Sequence, residues 1–279
     1  MKEFFLKTSD HFSLSVTLFE PKISNQKILL LNSATGVRQT VYYSFAKFFQ
    51  DQGFTVITYD YRGIGASNSK NLKNSSASMR IWGTIDYNCI TQFTLEKYPH
   101  HRKFLLGHSV GALILGMNED AKHFEKYIFV ATQDEYIGNL NSKVAATAVL
   151  GFGIALPVLT KIFGYFPAKI FGLGADLPKN VAYDWRTLIL NKKSTSKLYE
   201  KINIDFSKNL TQETFIISAE DDHWITKKGM ENLMGNVYPN LQKTFREIKI
   251  SESEKGEIGH INFFWSFNKN LWNIVLEQL

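Results

Sequence analysis

Apolar and polar residues alternate strictly over residues 12–18, where Phe12, Leu14, Val16 and Leu18 are separated by Ser13, Ser15 and Thr17. A period of two turns one face of an extended segment toward a core and the other toward water, so this stretch predicts a half-buried strand. With residues 4–7 it forms an opening antiparallel hairpin at a sheet edge. The pattern then changes. Residues 28–31 and 54–59 are short, nearly continuous apolar runs, as expected of strands covered on both faces, and a helical stretch over about 40–50 carrying Phe45, Phe48 and Phe49 separates them. A second helix over about 79–98 leads to the run 103–106, and strand-like runs follow at 127–131, 214–218 and 245–250. This alternation predicts an α/β fold around a mostly parallel sheet with helices on both faces. Right-handed crossovers then gather the reactive loops at the carboxyl ends of the strands.

Between 134 and 204 the alternation stops, and the segment becomes helix-like, rich in Phe, Leu, Ile and Gly, with Pro157, Pro167 and Pro178 as interruptions. It reads as a helical cap inserted between two parts of one core, residues 1–133 and 205–279. The uncharged run 144–160 falls short of the ~20 residues that a spanning helix needs, and it contains Pro157 and two glycines. A buried or interfacial cap is therefore expected rather than a membrane span, with peripheral membrane contact through the cap left open.

With 279 residues, 44% of them hydrophobic, the chain can bury a large core, and one α/β domain with an insertion fits that length. A lone cysteine, Cys89, rules out an internal disulfide and suits a reducing compartment, and the first residues lack a signal-peptide pattern, so the expected location is cytoplasmic. The net charge of +6 raises the question of nucleic acid, but the lysines are dispersed and no basic cluster is interleaved with stacking aromatics. No nucleic-acid partner is expected. His100 and His101 have no carboxylate or cysteine partner at zinc spacing, so no metal is expected. Asn68 stands where a dinucleotide fingerprint beginning at Gly63 and Gly65 requires a third small residue, and no cofactor is expected.

The chemistry concentrates at Gly107-His108-Ser109-Val110-Gly111, directly after an apolar run and before a stretch of helix formers that includes Val110, Ala112, Leu113, Ile114, Leu115 and Met117. A serine between two glycines at a strand-to-helix turn is the pattern of a nucleophile elbow. There the hydroxyl is pushed into the open, and side chains at Gly107 and Gly111 would collide with the neighbouring strand and helix. A serine hydroxyl is a poor nucleophile near neutral pH and needs an imidazole base oriented by a carboxylate. The run 214–218 leads into Asp221 and Asp222, with Asp222 the chosen acid, Asp221 its neighbour and rival, and Asp134 a remoter rival. His260, in a loop after the last strand, is the chosen base; the other six histidines lack that placement. The order Ser109, Asp222, His260 is that of one triad lineage. A developing oxyanion needs two backbone donors: Val110, next after the nucleophile, and one from the loop 32–36, for which Ala34 is chosen and Thr35 stays open.

Together these residues, with the stretches 29–33 and 60–67, resemble the α/β-hydrolase superfamily over nearly the whole chain. More narrowly, the stretches 34–37, 163–167, 172–178 and 221–226 look like a bacterial branch of hydrolases filed near the serine aminopeptidase-like proteins. The resemblance implies an eight-stranded sheet with a helical cap after the sixth strand, and it carries the roles of nucleophile, acid and base onto Ser109, Asp222 and His260. It implies no substrate. Two departures stand out: Asn32-Ser33 occupy a place where many members have His-Gly, and Ala112 one where a further glycine is common.

The expected activity is hydrolysis of a small ester or acyl compound through an acyl-enzyme. The proposed apolar roof for acyl chains comprises Phe152, Ile154, Leu156, Phe163, Tyr165, Phe166, Ile170 and Phe171. An aminopeptidase, for which the cap acids Asp134, Glu135, Asp176 and Asp184 look too dispersed, comes second. An acyltransferase and a lipid- or partner-binding module without turnover are the remaining alternatives.

Overall fold

In the computed structural model, which describes residues 1–68 and 71–279, the alternating N-terminal run folds as the hairpin of β1 (Lys2–Lys7) and β2 (Ser13–Phe19). Phe4 stands opposite Val16 in this antiparallel pair. The continuous apolar runs become β3 (Lys27–Asn32), β4 (Thr55–Tyr59), β5 (Arg102–His108) and β6 (Lys126–Val130). A two-residue pair, β7 (Tyr165–Phe166) and β8 (Leu177–Pro178), lies apart from the main sheet, which is completed by β9 (Glu213–Ala219) and β10 (Gln242–Ile248). The eight strands of the main sheet lie in the order β1-β2-β4-β3-β5-β6-β9-β10, antiparallel at β1, β2 and β4 and parallel from there on.

The strand order fixes where chemistry can occur. From β3 the chain crosses to β4 on one side and then returns to β5 on the other, so the carboxyl ends of β3 and β5 flank a topological switch point, the crevice where open α/β sheets bind ligands. Asn32 pairs with Gly107 there, which puts the loop after residue 32 directly beside Ser109.

The helices that cover the sheet are α1 (Tyr43–Asp51), α2 (79–97, widened by a π-turn at Trp82–Asp86), the short α3 (Val110–Leu113), α4 (Ser142–Phe163), α5 (Lys179–Leu190), α6 (Ser194–Ile202) and α7 (Lys227–Asn236). Leu29, Leu30, Ile57, Leu105, Leu106, Ile128 and Phe129 form the fully buried centre of the sheet. On one face, Phe45 of α1 packs against Phe264 (5.4 Å between ring centroids) and Trp272 (5.5 Å), which clamps the C-terminal segment behind His260.

Two local expectations are corrected. The helix after Ser109 makes a single α-turn and then tightens into a 3₁₀ turn at Leu115–Met117. The hydroxyls of Tyr199 and Tyr238 donate to the carbonyls of Leu113 (2.7 Å) and Ala112 (2.6 Å), taking acceptors that a longer helix would use. Pro157 does not interrupt the cap either. The π-turn Gly151–Ala155 precedes it, so the widened backbone accommodates the missing N–H and the ring, and α4 runs unbroken for 22 residues. At mean hydropathy 1.8 it exceeds the apolar length anticipated from residues 144–160.

Candidate active site

Ser109 sits between the last residue of β5 and the first of α3 with φ 52° and ψ −120°, a conformation that L-residues other than glycine adopt only under constraint. The surroundings supply that constraint. Ser109 N–H donates to Val130 O (2.9 Å), and Thr132 Oγ1 donates to Ser109 O (3.0 Å), so β6 holds the turn from behind. A Cβ on Gly107 would stand 2.7 Å from Ala112 N, and one on Gly111 would run into the Asn32 carbonyl. Asn32 also donates through Nδ2 to Gly111 O (3.2 Å) and accepts from the Tyr59 hydroxyl (2.7 Å), binding the end of β3 to the elbow.

The loop after β9 carries both neighbouring aspartates, and they have different partners. Asp222 is buried; its Oδ2 accepts from His260 Nδ1 (2.8 Å) and its Oδ1 from Trp224 N–H (3.1 Å). Asp221 instead accepts from the N–H groups of Ile258 and Gly259, both at 2.8 Å, and so fixes the loop that presents His260. Asp134 caps a local turn by accepting from Tyr136 N–H (3.0 Å) and Asn139 Nδ2 (2.9 Å). Donation from Nδ1 to Asp222 leaves His260 Nε2 as the unprotonated nitrogen of the neutral ring. Burial pulls the His260 pKa down, but the hydrogen bond to Asp222 and the charges of Asp222 and Glu135 outweigh it, and the net shift is upward. Ser109 and His260 line the same cavity, and no hydrogen bond joins their side chains.

His108, one of the six histidines that lack the placement of the base, has a structural part at the elbow. Its fully buried ring lies between two hydrogen-bond partners, with Nε2 2.8 Å from His260 O and Nδ1 2.8 Å from the Tyr42 hydroxyl. A carbonyl can only accept, so Nε2 carries the proton and Nδ1 accepts from Tyr42. The Tyr42 oxygen in turn accepts from Ala34 N–H (3.0 Å). Burial, followed by the neighbouring His260, holds the His108 pKa well below its ordinary value, consistent with a neutral ring. This relay commits the Ala34 N–H, the expected oxyanion donor, to Tyr42. Among the described residues, Thr35 N–H and Val110 N–H have no hydrogen-bond partner, and both residues line the cavity.

The cavity measures about 1150 Å³ and lies between the carboxyl ends of the strands and α4 with the segment that follows it. Phe152, Leu156, Phe166 and Phe171 of the anticipated roof line it. Ile154 and Phe163 of α4 face outward instead, because its inward row is Ala148, Phe152, Leu156 and Thr160, spaced four apart, and Ile170 beyond the helix is also exposed. Among the described residues no group of three or more His, Cys, Asp or Glu side chains is placed to hold a metal ion.

Residues 24–166 match the family described as serine aminopeptidase, S33, which is just over half of the chain. The chain belongs to the S33 serine aminopeptidase family. Among curated relatives it is 31% identical over 94 residues to a probable aminopeptidase, YbaC, of Bacillus subtilis, covering 33% of this chain and 29% of that one. It is also 34% identical over 64 residues to an uncharacterized 31.7 kDa protein of Escherichia coli, covering 23% and 22%. The chain thus spans less than a third of the length of these relatives. Solved structures align over nearly all of it: an esterase from Exiguobacterium antarcticum (TM-score 0.60, 14% identity, 99% of each chain) and a bromoperoxidase from Bacillus anthracis (0.62, 17%, 99% of each). Both share the α/β-hydrolase fold expected from the sequence.

Within this S33 member, the cap acids separate by environment. Asp184 pairs with Arg80 (3.0 Å), Asp176 accepts from Lys169 N–H (3.1 Å), and Asp134 caps its turn. Glu135 alone among them lines the cavity. It is 3% exposed, accepts from Trp224 Nε1 (2.7 Å), and has its pKa raised to about 7, mainly by burial. Sequence reasoning counted it among the dispersed acids. The available signal was its position just past the end of β6, together with an indole two residues beyond Asp222 in need of an acceptor.

Proposed function

We propose that this α/β hydrolase is a serine hydrolase that cleaves carboxylic esters with apolar acyl groups, with Ser109 as nucleophile, His260 as base and Asp222 as the carboxylate that orients it. One observation carries the reading: the strained Ser109 and the His260–Asp222 pair open into a single cavity roofed by Phe152, Leu156, Phe166 and Phe171. In the proposed reaction Ser109 Oγ forms a bond to the ester carbonyl carbon while its proton passes to His260 Nε2. Asp222 stabilises the resulting imidazolium. Val110 N–H and Thr35 N–H are the proposed donors to the oxyanion, both being unpartnered and cavity-lining. As the tetrahedral intermediate collapses, the carbon–alkoxy bond breaks and the alcohol leaves with the proton from Nε2. Water then attacks the acyl-enzyme, giving its proton to the same nitrogen, and the acid leaves as Ser109 recovers its own.

A second reading, an aminopeptidase, gains support from Glu135, whose carboxylate when ionised suits a substrate ammonium. A single carboxyl raised to about 7 and already held by Trp224 favours neutral substrates over cationic ones near pH 7, which puts the ester first. The test is fluorophosphonate labelling of the purified chain, with turnover of p-nitrophenyl esters of increasing acyl length against aminoacyl p-nitroanilides. Labelling and ester turnover that vanish in Ser109→Ala and His260→Ala are expected. Faster anilide turnover would install the peptidase, and absence of labelling would remove the triad.

A further inference from the structure

The outer face of α4 is as apolar as its inner one. Its inward row, Ala148, Phe152, Leu156 and Thr160, has an outward counterpart at the same spacing, Leu150, Ile154, Val158 and Ile162. Ile154 is 60% exposed and Ile162 69%, Phe163 ends the helix exposed, and Ile170 extends the patch past it. A helix that is apolar all round belongs in a protein core or against lipid. Here one face is covered by protein and the other is open.

The charged side chains carried by α4 and the segment after it as far as Ala175 are all of one sign; Lys143 and Lys169 among them also line the rim of the large cavity, and Asp176 accepts from Lys169 N–H. From Tyr136 to Ala175 the sequence contains no Asp or Glu, and its charged residues are Lys143, Lys161 and Lys169, each of them exposed. At the carboxyl end of α4, a second cavity of about 580 Å³ is lined by Lys73, Lys161 and Lys179 together with Thr160. These three lysines make no ion pair among the described residues, and the buried Thr160 hydroxyl has no hydrogen-bond partner. A second copy of the chain placed on this face would bring lysine against lysine. An anionic surface with an apolar interior matches both features.

We infer that the outer face of α4 docks this chain on an anionic phospholipid surface, with Leu150, Ile154, Val158 and Ile162 among the acyl chains and Lys143, Lys161 and Lys169 at the headgroups. The cavity of Lys73, Lys161, Lys179 and Thr160 receives a headgroup phosphate.

The helix lies along the membrane rather than across it. At ~1.5 Å per residue its 22 residues are long enough to cross, but both ends are fastened to one folded body. Near the start, Thr226 Oγ1 donates to Asn139 O (2.8 Å) and Lys228 Nζ to Gly138 O (2.8 Å). Just past the end, β7 pairs with β8, Tyr165 opposite Pro178, and Pro178 packs on Gly63 of the sheet domain.

The geometry also deepens the proposed function, on which this one step rests. Lys143, Val144, Thr147, Gly151, Phe152 and Ala155 of the same helix line the large cavity, so α4 separates the lipid from Ser109 by one helix thickness. The ester would then be one drawn from the membrane, its acyl chain passing beneath α4.

Flotation of the full chain with vesicles tests the inference, comparing phosphatidylglycerol–phosphatidylcholine mixtures with phosphatidylcholine alone. The Ser109→Ala protein and the double variant Leu150→Glu, Ile154→Glu are run beside the wild type, with circular dichroism and p-nitrophenyl acetate turnover as controls. Neither Leu150 nor Ile154 lines the large cavity. Expected are binding to the anionic vesicles that weakens at least about tenfold in 0.5 M salt, equal binding by Ser109→Ala, and loss of at least about tenfold in the double variant while its acetate turnover stays unchanged. Absence of anionic-vesicle binding by the folded wild type overturns the docking, as does binding that the double variant keeps. A concentration-dependent dimer by light scattering that the double variant abolishes assigns the face to a second copy and also overturns it. Vesicle binding without esterase activity would instead sink the proposed function and leave the docking standing.

Discussion

Replacing Glu135 by Gln tests the electrostatics of the cavity without changing its shape. The amide keeps an oxygen to accept from Trp224 Nε1, so what disappears is the capacity to ionise. In the folded protein burial raises this carboxyl from 4.5 to about 7, so ionising it there costs about 3 kcal/mol more than in the unfolded chain. A carboxyl raised in this way favours the folded state fully below pH 4.5, and that contribution is lost as the pH climbs through about 7. Wild type should therefore lose about 3 kcal/mol relative to Glu135→Gln between pH 4.5 and 8, roughly 6–12 °C in Tm for a chain of this size. The assay is thermal unfolding of both proteins across that range, read as the difference between them so that every shared titration cancels. A difference that stays constant with pH would refute the assignment of Glu135 as a carboxyl neutralised by burial. The same variant separates the two functional readings. Without the Glu135 charge, His260 loses one of the influences that raise its pKa, so the acid limb of kcat/KM for a neutral ester moves to lower pH. If the chain is an aminopeptidase, the variant instead raises KM for an aminoacyl anilide.

Three further outcomes are expected. Asp222→Asn should lower kcat by about 10³- to 10⁴-fold because the imidazole loses the carboxylate that sets its tautomer; Asp221→Asn, which disturbs only the Ile258 and Gly259 contacts, should cost less than about 100-fold, and p-nitrophenyl acetate kinetics at pH 8 that reverse this order would exchange the two residues. Gly111→Ala drives a methyl group into the Asn32 carbonyl, and by analogy with overpacked cores it should destabilise by about 1–3 kcal/mol or more; a Tm equal to wild type would contradict that. Tyr42→Phe leaves the buried Ala34 N–H and His108 Nδ1 without partners, so urea unfolding should show a loss of about 2–6 kcal/mol, at about 1–3 kcal/mol per unsatisfied group, and an unchanged midpoint would refute the relay.

Residues 12–18 and 28–31 announced their strands because each meets a rule that acts along the chain, a period of two and a continuous apolar run, but the half-buried face expected for the first is corrected: β2 is covered on both faces, and Ser15 and Thr17 are buried with Leu14, Val16 and Leu18. The elbow was legible for a similar reason, since Gly107 and Gly111 are required by contacts within a few residues and one neighbouring strand. The helix after Ser109 was misread because what shortens it comes from far away. Tyr199 and Tyr238 lie more than eighty residues downstream, and no local propensity reports their hydroxyls. Arg62 is a similar case: its guanidinium bonds Asp10 (2.6 Å) and Asp86 (2.7 Å), a pairing across three elements that leaves no periodic trace. The α4 run was underestimated because proline was read by its behaviour in an ordinary α-turn, whereas the π-turn before Pro157 changes the backbone that it meets.

The candidate residues follow the same division between local and distant causes. Ser109, Asp222 and His260 could be named from sequence because each is the chemically required type at the end of a strand or in the loop beyond it, and strand ends are what periodicity locates best. Their environment could not be read in that way. The loop before α1, the elbow and the His260 loop are joined through Ala34, Tyr42, His108 and the His260 carbonyl, four groups from three separate parts of the chain. The second residue of the elbow therefore acts behind the nucleophile: its imidazole fixes the height of the His260 backbone relative to β5, while Asp221 fixes the preceding two residues. Held at both places, the base loop has little freedom except at its side chain. That side chain is the part that must move if His260 Nε2 is to meet Ser109 Oγ, which it does not bond here. The arrangement thus gives His260 a backbone held on both sides and a ring held through Nδ1 by Asp222. Under the proposed function that ring would serve the nucleophile, the leaving group and the incoming water in turn while its Nδ1 stays on Asp222.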